Sequence, residues 1–198
     1  MVSVHLSSEL SSTADHARSG AREAGVPVPV HVVDSRLVGV GLGLVALHAA
    51  RAASDGAGPE GVAGAAEDAA GRVELSAALE TVELLRRGGR VGLVRGALSD
   101  ALRIRPVLTM RDGSPELVAR CRTRSRALDH LVSRASGPAA AAAVTVGGPA
   151  SQAGDLADRV AEACGVRPFV WPMGAAIGAH LGPGAIGVAV LRPGETGA

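Results

Sequence analysis

Lysine, asparagine and tyrosine are absent from the 198 residues, and there is one Phe and one Trp. Every side-chain cation other than histidine is therefore an arginine, a bias that high-GC coding produces without selection on the protein. Arginine content by itself then argues nothing about nucleic acid. With almost no aromatic surface for bases to stack on, RNA or single-strand binding is disfavoured as a function. Cysteine is scarce too. Cys121 and Cys164 lie far apart, show no CxxC or Cys/His ligand spacing and give no disulfide framework, so both read as reduced thiols. Long apolar runs are missing: residues 37–50 fall short of the roughly 20 that a membrane helix needs, and three glycines and His48 interrupt them. No cationic segment leading into an apolar stretch and a small-residue cleavage site opens the chain. The sequence predicts a cytoplasmic protein without integral membrane association. Catalytic signatures are equally lacking, with no GxSxG elbow, no informative Ser, His and Asp spacing, no carboxylate pair and no metal-ligand cluster.

What is present is an ordinary globular composition, 47% apolar and 20% charged, long enough to bury a substantial core. The formal net charge of +1 is unevenly spread: residues 80–126 carry 11 Arg against 5 acids, and the remainder 9 Arg against 14. A basic middle segment results, which points to an anionic partner.

Residues 2–6 form a strand-like run, followed at once by Ser7, Ser8, Ser11, Ser12 and Thr13 and then a helical pattern through Ala24. Residues 27–33 predict a second, buried strand ending at Asp34-Ser35, and residues 41–53 and 59–71 predict helices. This alternation implies a parallel sheet. Two strands are fewer than the usual four to six or so, which implies that half of this first domain is missing from the chain. From Ser76 the pattern predicts a helix to Arg87, the turn Gly88-Gly89-Arg90 and a helix over about 93–102. Strands at 104–110 and 116–121 join across Asp112-Gly113, a hairpin signal. A helix at 125–134, a small-residue connector at 137–143, a strand at 144–146, a helix at 151–164 and strands at 169–172 and 185–191 complete the pattern. The expected fold is α/β: a partial parallel-sheet first lobe, residues 1–72, then a mixed-sheet α+β second lobe, residues 73–198.

Five segments, taken in order, resemble the DegV family. They are Leu6-Ser7-Ser8-Glu9-Leu10-Ser11-Ser12-Thr13; Val32-Val33-Asp34-Ser35-Arg36 leading to Gly41-Leu42-Gly43; TVELLRRGGRVG over 81–92; Ile104-Arg105-Pro106-Val107-Leu108 with Asp112-Gly113 and Arg122-Thr123-Arg124; and Gly178-Ala179-His180-Leu181-Gly182-Pro183-Gly184-Ala185. The resemblance implies a two-lobed fold enclosing one long-chain fatty acid between its lobes. It implies a lipid carrier, the substrate-bearing subunit of a bacterial fatty-acid kinase whose catalytic subunit is a separate chain. No catalysis and no cofactor of its own are implied. The family's first lobe begins well upstream of this start, so the resemblance also implies an amino-terminal truncation.

On the residues alone, a hydroxyl-rich turn before a helix suits a carboxylate, because O–H donors lie beside free N–H groups at the positive end of the helix dipole. Simple capping would use the same residues. The family pattern favours Ser11 as a carboxylate ligand. His180, beside glycines that let backbone approach a ligand, is implied by the resemblance to lie near the acid headgroup. Arg90 could clamp a carboxylate or phosphate with its planar guanidinium, or serve as a surface or helix C-terminal cation. Arg120, Arg122, Arg124 and Arg126 alternate, so wherever the segment is extended they would project from one face. The resemblance makes Arg122 and Arg124 the candidates for docking the kinase; a solvated edge is the alternative. Two rival readings remain. Gly41-x-Gly43-x-x-Ala46 imitates a dinucleotide fingerprint, with Asp55 or Glu60 placed to meet a ribose, and a truncated lobe could keep the fold without holding lipid.

Overall fold

The structure, a computed structural model, describes residues 1–25, 27–90, 92, 94 and 104–194. Strand β1 (Val2–His5) is followed by helix α1 (Thr13–Glu23) and by β2 (His31–Asp34), which pairs with β1 in parallel, Val2 opposite His31 and His5 opposite Asp34. Helices α2 (Gly39–Ser54) and α3 (Pro59–Arg72) come next. Pro59 sits in the first turn of α3, where its fixed φ and missing N–H do no harm. The chain passes from α3 directly into β3 (Val73–Ala78), then α4 (Glu83–Arg87), β4 (Arg105–Arg111) and β5 (Ser114–Cys121). Helix α5 (Arg124–Ala135), β6 (Ala141–Val146), a short 3-10 turn, α6 (Gly154–Cys164), β7 (Phe169–Pro172), α7 (Ala175–Leu181) and β8 (Ile186–Leu191) follow.

β1 and β2 make a sheet of their own, while the other strands form a six-stranded sheet ordered β5-β4-β3-β8-β6-β7. Within it only β6 and β7 run parallel. The period-2 alternation of strands puts Ala142, Val144 and Val146 of β6 and Ile186, Val188 and Val190 of β8 against α5 and α6. Their neighbours Ala143, Ala189 and Leu191 join a second core with Leu44, Val45 and Ala49 of α2 and Ala66 and Ala69 of α3. Both faces of the central strands are thus covered, and every residue of β8 is buried. A strand buried on both faces reads as a continuous apolar run instead of an alternation. No helix among the described residues is long and apolar enough to cross a membrane.

The mixed α/β architecture, with a small parallel sheet and a larger mixed one, is the predicted fold class. The hairpin is where the sequence places it: Asp112 and Gly113 take φ of 50° and 82°, with Arg111 facing Ser114, the left-handed pair of a tight two-residue turn. Four local expectations are corrected. Instead of a helix at 76–87 there is β3, with only the short α4 after it. Ser76 and Ala78 are buried towards one helix layer and Leu75 towards the other, so the strand shows no alternation, and pairing with β4 and β8 overrides its alanine-rich, helix-like composition. The second strand is shorter than 27–33 and only Val33 within it is fully buried. The connector at 137–143 gives way to β6 at Ala141, whose alanines pair with β8. Helix α7 was not anticipated, and the helix expected over 93–102 falls, Val94 apart, outside the described residues.

Asp34 at the end of β2 accepts hydrogen bonds from the Ser8 hydroxyl and amide and from the Arg36 amide at 2.8 Å. Partial burial works to raise its pKa. The hydrogen bonds from Ser8 and Arg36, helped by the charge of Arg18, outweigh it and hold the carboxyl below its ordinary 3.8. A depressed folded-state value contributes stability that is present above the unfolded value and is lost as pH falls through the folded one. Chemical denaturation across a pH series should therefore show Asp34→Asn less stable than the parent at neutral pH, with the gap closing below 3.8.

Candidate functional site

The serine loop after β1 is fixed between the two sheets. Ser7 donates its amide to Leu37 O at 2.9 Å and its buried hydroxyl to Gly113 O, in the β4–β5 turn, at 2.6 Å. A Cβ at Gly113 would come within 2.8 Å of that hydroxyl. The turn thus needs glycine both for its φ and for its contact with the loop. Ser11 donates its amide to Ser7 O at 3.2 Å, and its hydroxyl meets Thr13 Oγ1 at 2.6 Å. The N-cap position of α1 is Ser12, which makes no side-chain capping bond. Neither serine hydroxyl is therefore spent on capping.

Below this loop lies a cavity of about 290 Å³, walled by apolar side chains such as Leu6, Leu10, Leu75, Leu79, Leu108 and Met110. Ser11, Arg90 and His180, contributed by three separate parts of the chain, all line it. His180 stands on α7 with Ala176, Ile177 and Leu181 on the same cavity-facing side. Its ring lies against the backbone of Gly88, where an added Cβ would sit 2.3 Å from Nδ1. That Nδ1 is buried and has no hydrogen-bond partner, an arrangement native proteins seldom leave without a reason. Arg90 is exposed at the rim, donating Nη1 to Gly88 O at 2.8 Å and its amide to Leu85 O at 2.9 Å. Gly88 therefore brings the imidazole and the guanidinium to one place.

The other two predicted residues stand elsewhere. The alternating arginine row is not realised, because β5 ends at Cys121 and α5 begins at Arg124, with Thr123 capping it by accepting the Arg126 amide at 3.3 Å. Arg122 is exposed in the link between them. Arg124 is half-buried and donates Nη1 to both Glu80 Oε1 and Gly184 O at 3.0 Å, and Glu80 also pairs with Arg105 at 2.6 Å. Arg124 is thereby tied to the turn that follows α7.

The dinucleotide reading fails on geometry. Gly41 and Gly43 lie inside α2, not in a turn before it. Their missing side chains make room for Leu75 and for Trp171, each 3.2 Å from where a Cβ would stand. Both cysteines are buried and unpaired by disulfide, and burial pushes the Cys121 thiol up, against the pull of Arg126. Among the described residues no group of three His, Cys, Asp or Glu could hold a metal ion. Sequence reasoning missed Gly88, whose φ of −75° is ordinary, and Ile177, whose helix is too short to show periodicity.

The fold is a two-sheet α/β protein, with a two-stranded parallel sheet and a six-stranded mixed sheet, and an apolar cavity edged by hydroxyl, imidazole and guanidinium groups lies between the serine loop and the larger sheet. A sequence profile of the family described as "uncharacterised protein, DegV family" matches residues 1–192. The chain belongs to the DegV family. A DegV domain-containing protein of Streptomyces coelicolor is 39% identical over 196 residues, covering 96% of this chain and 69% of that protein. One from Mycobacterium tuberculosis is 39% identical over 198 residues with the same coverage. Among solved structures, the DegV family protein of Corynebacterium glutamicum superposes with a TM-score of 0.86 at 28% identity, over 98% of this chain and 75% of that one. The fatty-acid-binding DegV family protein of Thermus thermophilus gives 0.84 at 28% identity, over 97% and 70%. DegV of Bacillus subtilis, a fatty-acid-binding protein, gives 0.81 at 26% identity, over 96% and 70%.

Proposed function

We propose that this chain is a cytoplasmic carrier that holds a long-chain fatty acid in the cavity and presents its carboxylate to a separate fatty-acid kinase, catalysing nothing itself. The observation that carries the reading is the convergence of Ser11, Arg90 and His180 on one apolar cavity. Fatty-acid binding by the Thermus and Bacillus relatives supports it. Each methylene taken from water into such a cavity contributes about 0.8 kcal/mol. The Ser11 hydroxyl would donate to one carboxylate oxygen. His180 would give its unpartnered buried Nδ1 a hydrogen bond to the acid, and Arg90 at the rim would supply opposite charge. In this reading residues 1–72 and 73–198 are the two lobes, with the acid between them.

The kinase would dock on the basic segment around Arg122 and Arg124. Arg122, being exposed, offers its charge directly, while Arg124 acts with the Glu80 it holds. Arg122→Glu is expected to abolish kinase-dependent phosphorylation of the bound acid while leaving acid content unchanged; loss of both together would assign Arg122 to folding.

The deciding experiment is native mass spectrometry of the purified protein, then denaturing extraction and identification of what is released, for the parent and for Ser11→Ala. A stoichiometric long-chain acid in the parent and a lower occupancy in the variant are expected. Undiminished retention by Ser11→Ala would remove Ser11 from the site, and an empty parent or a bound nucleotide would overturn the carrier reading.

A further inference from the structure

Beside the cavity lies a second chamber of about 240 Å³, bounded by Gly39, Val40, Thr145, Trp171, Met173 and Ile177. Ile177 lines both spaces. The chain divides in the same way as it enters α2, the N-cap Val38 lining the cavity and Gly39 and Val40 the chamber. The partition is therefore one side chain from α7 and the start of α2, where Gly39 has a φ of 53° and no Cβ to thicken the wall. At about 290 Å³ the cavity alone sits at the lower edge of the roughly 300–1,000 Å³ usual for small-molecule sites. The chamber nearly doubles it.

The far wall of the chamber is well fixed. Trp171 stacks on Phe169 with ring centroids 5.2 Å apart and planes within 3°. On the α2 side the ring meets Gly43, where a Cβ would come 3.2 Å from Cζ3. Ile177, by contrast, has one rotatable branched side chain at the boundary, and its stiffness at χ1 on a helix makes it a gate of defined width.

We propose that the acyl chain of a long-chain acid passes Ile177 into the chamber against Trp171, and that Ile177 sets the chain length this protein accepts. The proposal rests on the fatty-acid reading and adds a route and a length-determining residue to it. An acid with its carboxylate at His180 runs along the cavity-facing side of α7, on which Ile177 stands one turn before His180. An eight-carbon acid reaches that side chain and little further. A long one must pass it or fold back on itself.

Trp171 is the sole tryptophan, so its emission reports on the chamber without background. The probes are octadecanoic acids brominated either beside the methyl end or near the carboxyl, with octanoic acid as the short comparison and native mass spectrometry recording occupancy. Methyl-end bromine should quench Trp171 severalfold more strongly than carboxyl-end bromine, and octanoic acid should leave the emission unchanged. Ile177→Phe should narrow the gate and lower the affinity for octadecanoic acid relative to octanoic acid about tenfold or more, because each methylene denied apolar surface weakens binding severalfold. A filled complex in which methyl-end bromine leaves Trp171 unquenched overturns the route. Equal loss of both acids in Ile177→Phe overturns the length-determining role. A parent protein that takes up neither acid overturns the carrier reading and this one with it.

Discussion

Gly88→Ala should empty the ligand cavity about as effectively as His180→Ala, although residue 88 has no side chain to offer a ligand. Its φ of −75° suits alanine, so the backbone itself raises no objection. The obstacle is space: the new Cβ would stand 2.3 Å from His180 Nδ1, 2.8 Å from Cε1 and 3.2 Å from Leu84 O. Real Cβ atoms do not approach so closely, and the imidazole, turning on two side-chain torsions, yields more easily than the α4 backbone does. The ring would then leave the position from which it reaches the acid. Hydrogen bonds to charged groups contribute roughly 1.5–3 kcal/mol, so either substitution should weaken acid binding by about tenfold to a hundredfold. The two changes should not add, because the second removes an interaction already lost. Titration of delipidated protein with a long-chain acid checks this, and a Gly88→Ala variant that holds acid as tightly as the parent would remove His180 from the proposed site.

Leu131→Ala should give the largest loss of stability and no loss of ligand affinity in the protein that remains folded. Leu131 lies in the middle of α5 with 0% of its surface exposed, in the core cluster that includes Val107, Leu156, Val160 and Val188. That core lies on the face of the six-stranded sheet turned away from α2 and the second core. Removing a buried leucine side chain from such a cluster costs about 2–5 kcal/mol through lost transfer energy and the space left behind. The midpoint of urea unfolding should fall accordingly with little change in slope. A stability equal to the parent's would mean that α5 does not hold the sheet as its burial implies.

Much of the fold is written in local pattern. The Asp112-Gly113 turn needs two left-handed residues side by side and has them. The helix predicted over 125–134 matches α5, whose buried Ala127, Leu131 and Ala135 recur every fourth residue. The order and identity of the motifs single out Ser11, Arg90 and His180, which the fold brings to one cavity. No spacing rule could have found them, since they meet from widely separated parts of the chain. The sequence by itself therefore determined the class of fold, the family, the turn that closes the β4–β5 hairpin and the residues to examine at the site.

The tertiary structure alone decided the rest. Helix periodicity reflects neighbours within about four positions, whereas β3 is a strand because it lies between β4 and β8, the latter paired Val73 to Leu191 across more than half of the chain. Arg124 is an ion-pair partner of Glu80 only because α5 begins beside the loop that leaves β3. Gly88 has no room for a side chain only because α7 lays His180 on it. Ile177 lines two spaces only because α7 is brought opposite the start of α2. Each of these depends on packing between residues remote in sequence, where the stabilising energy comes from surfaces that no local window contains.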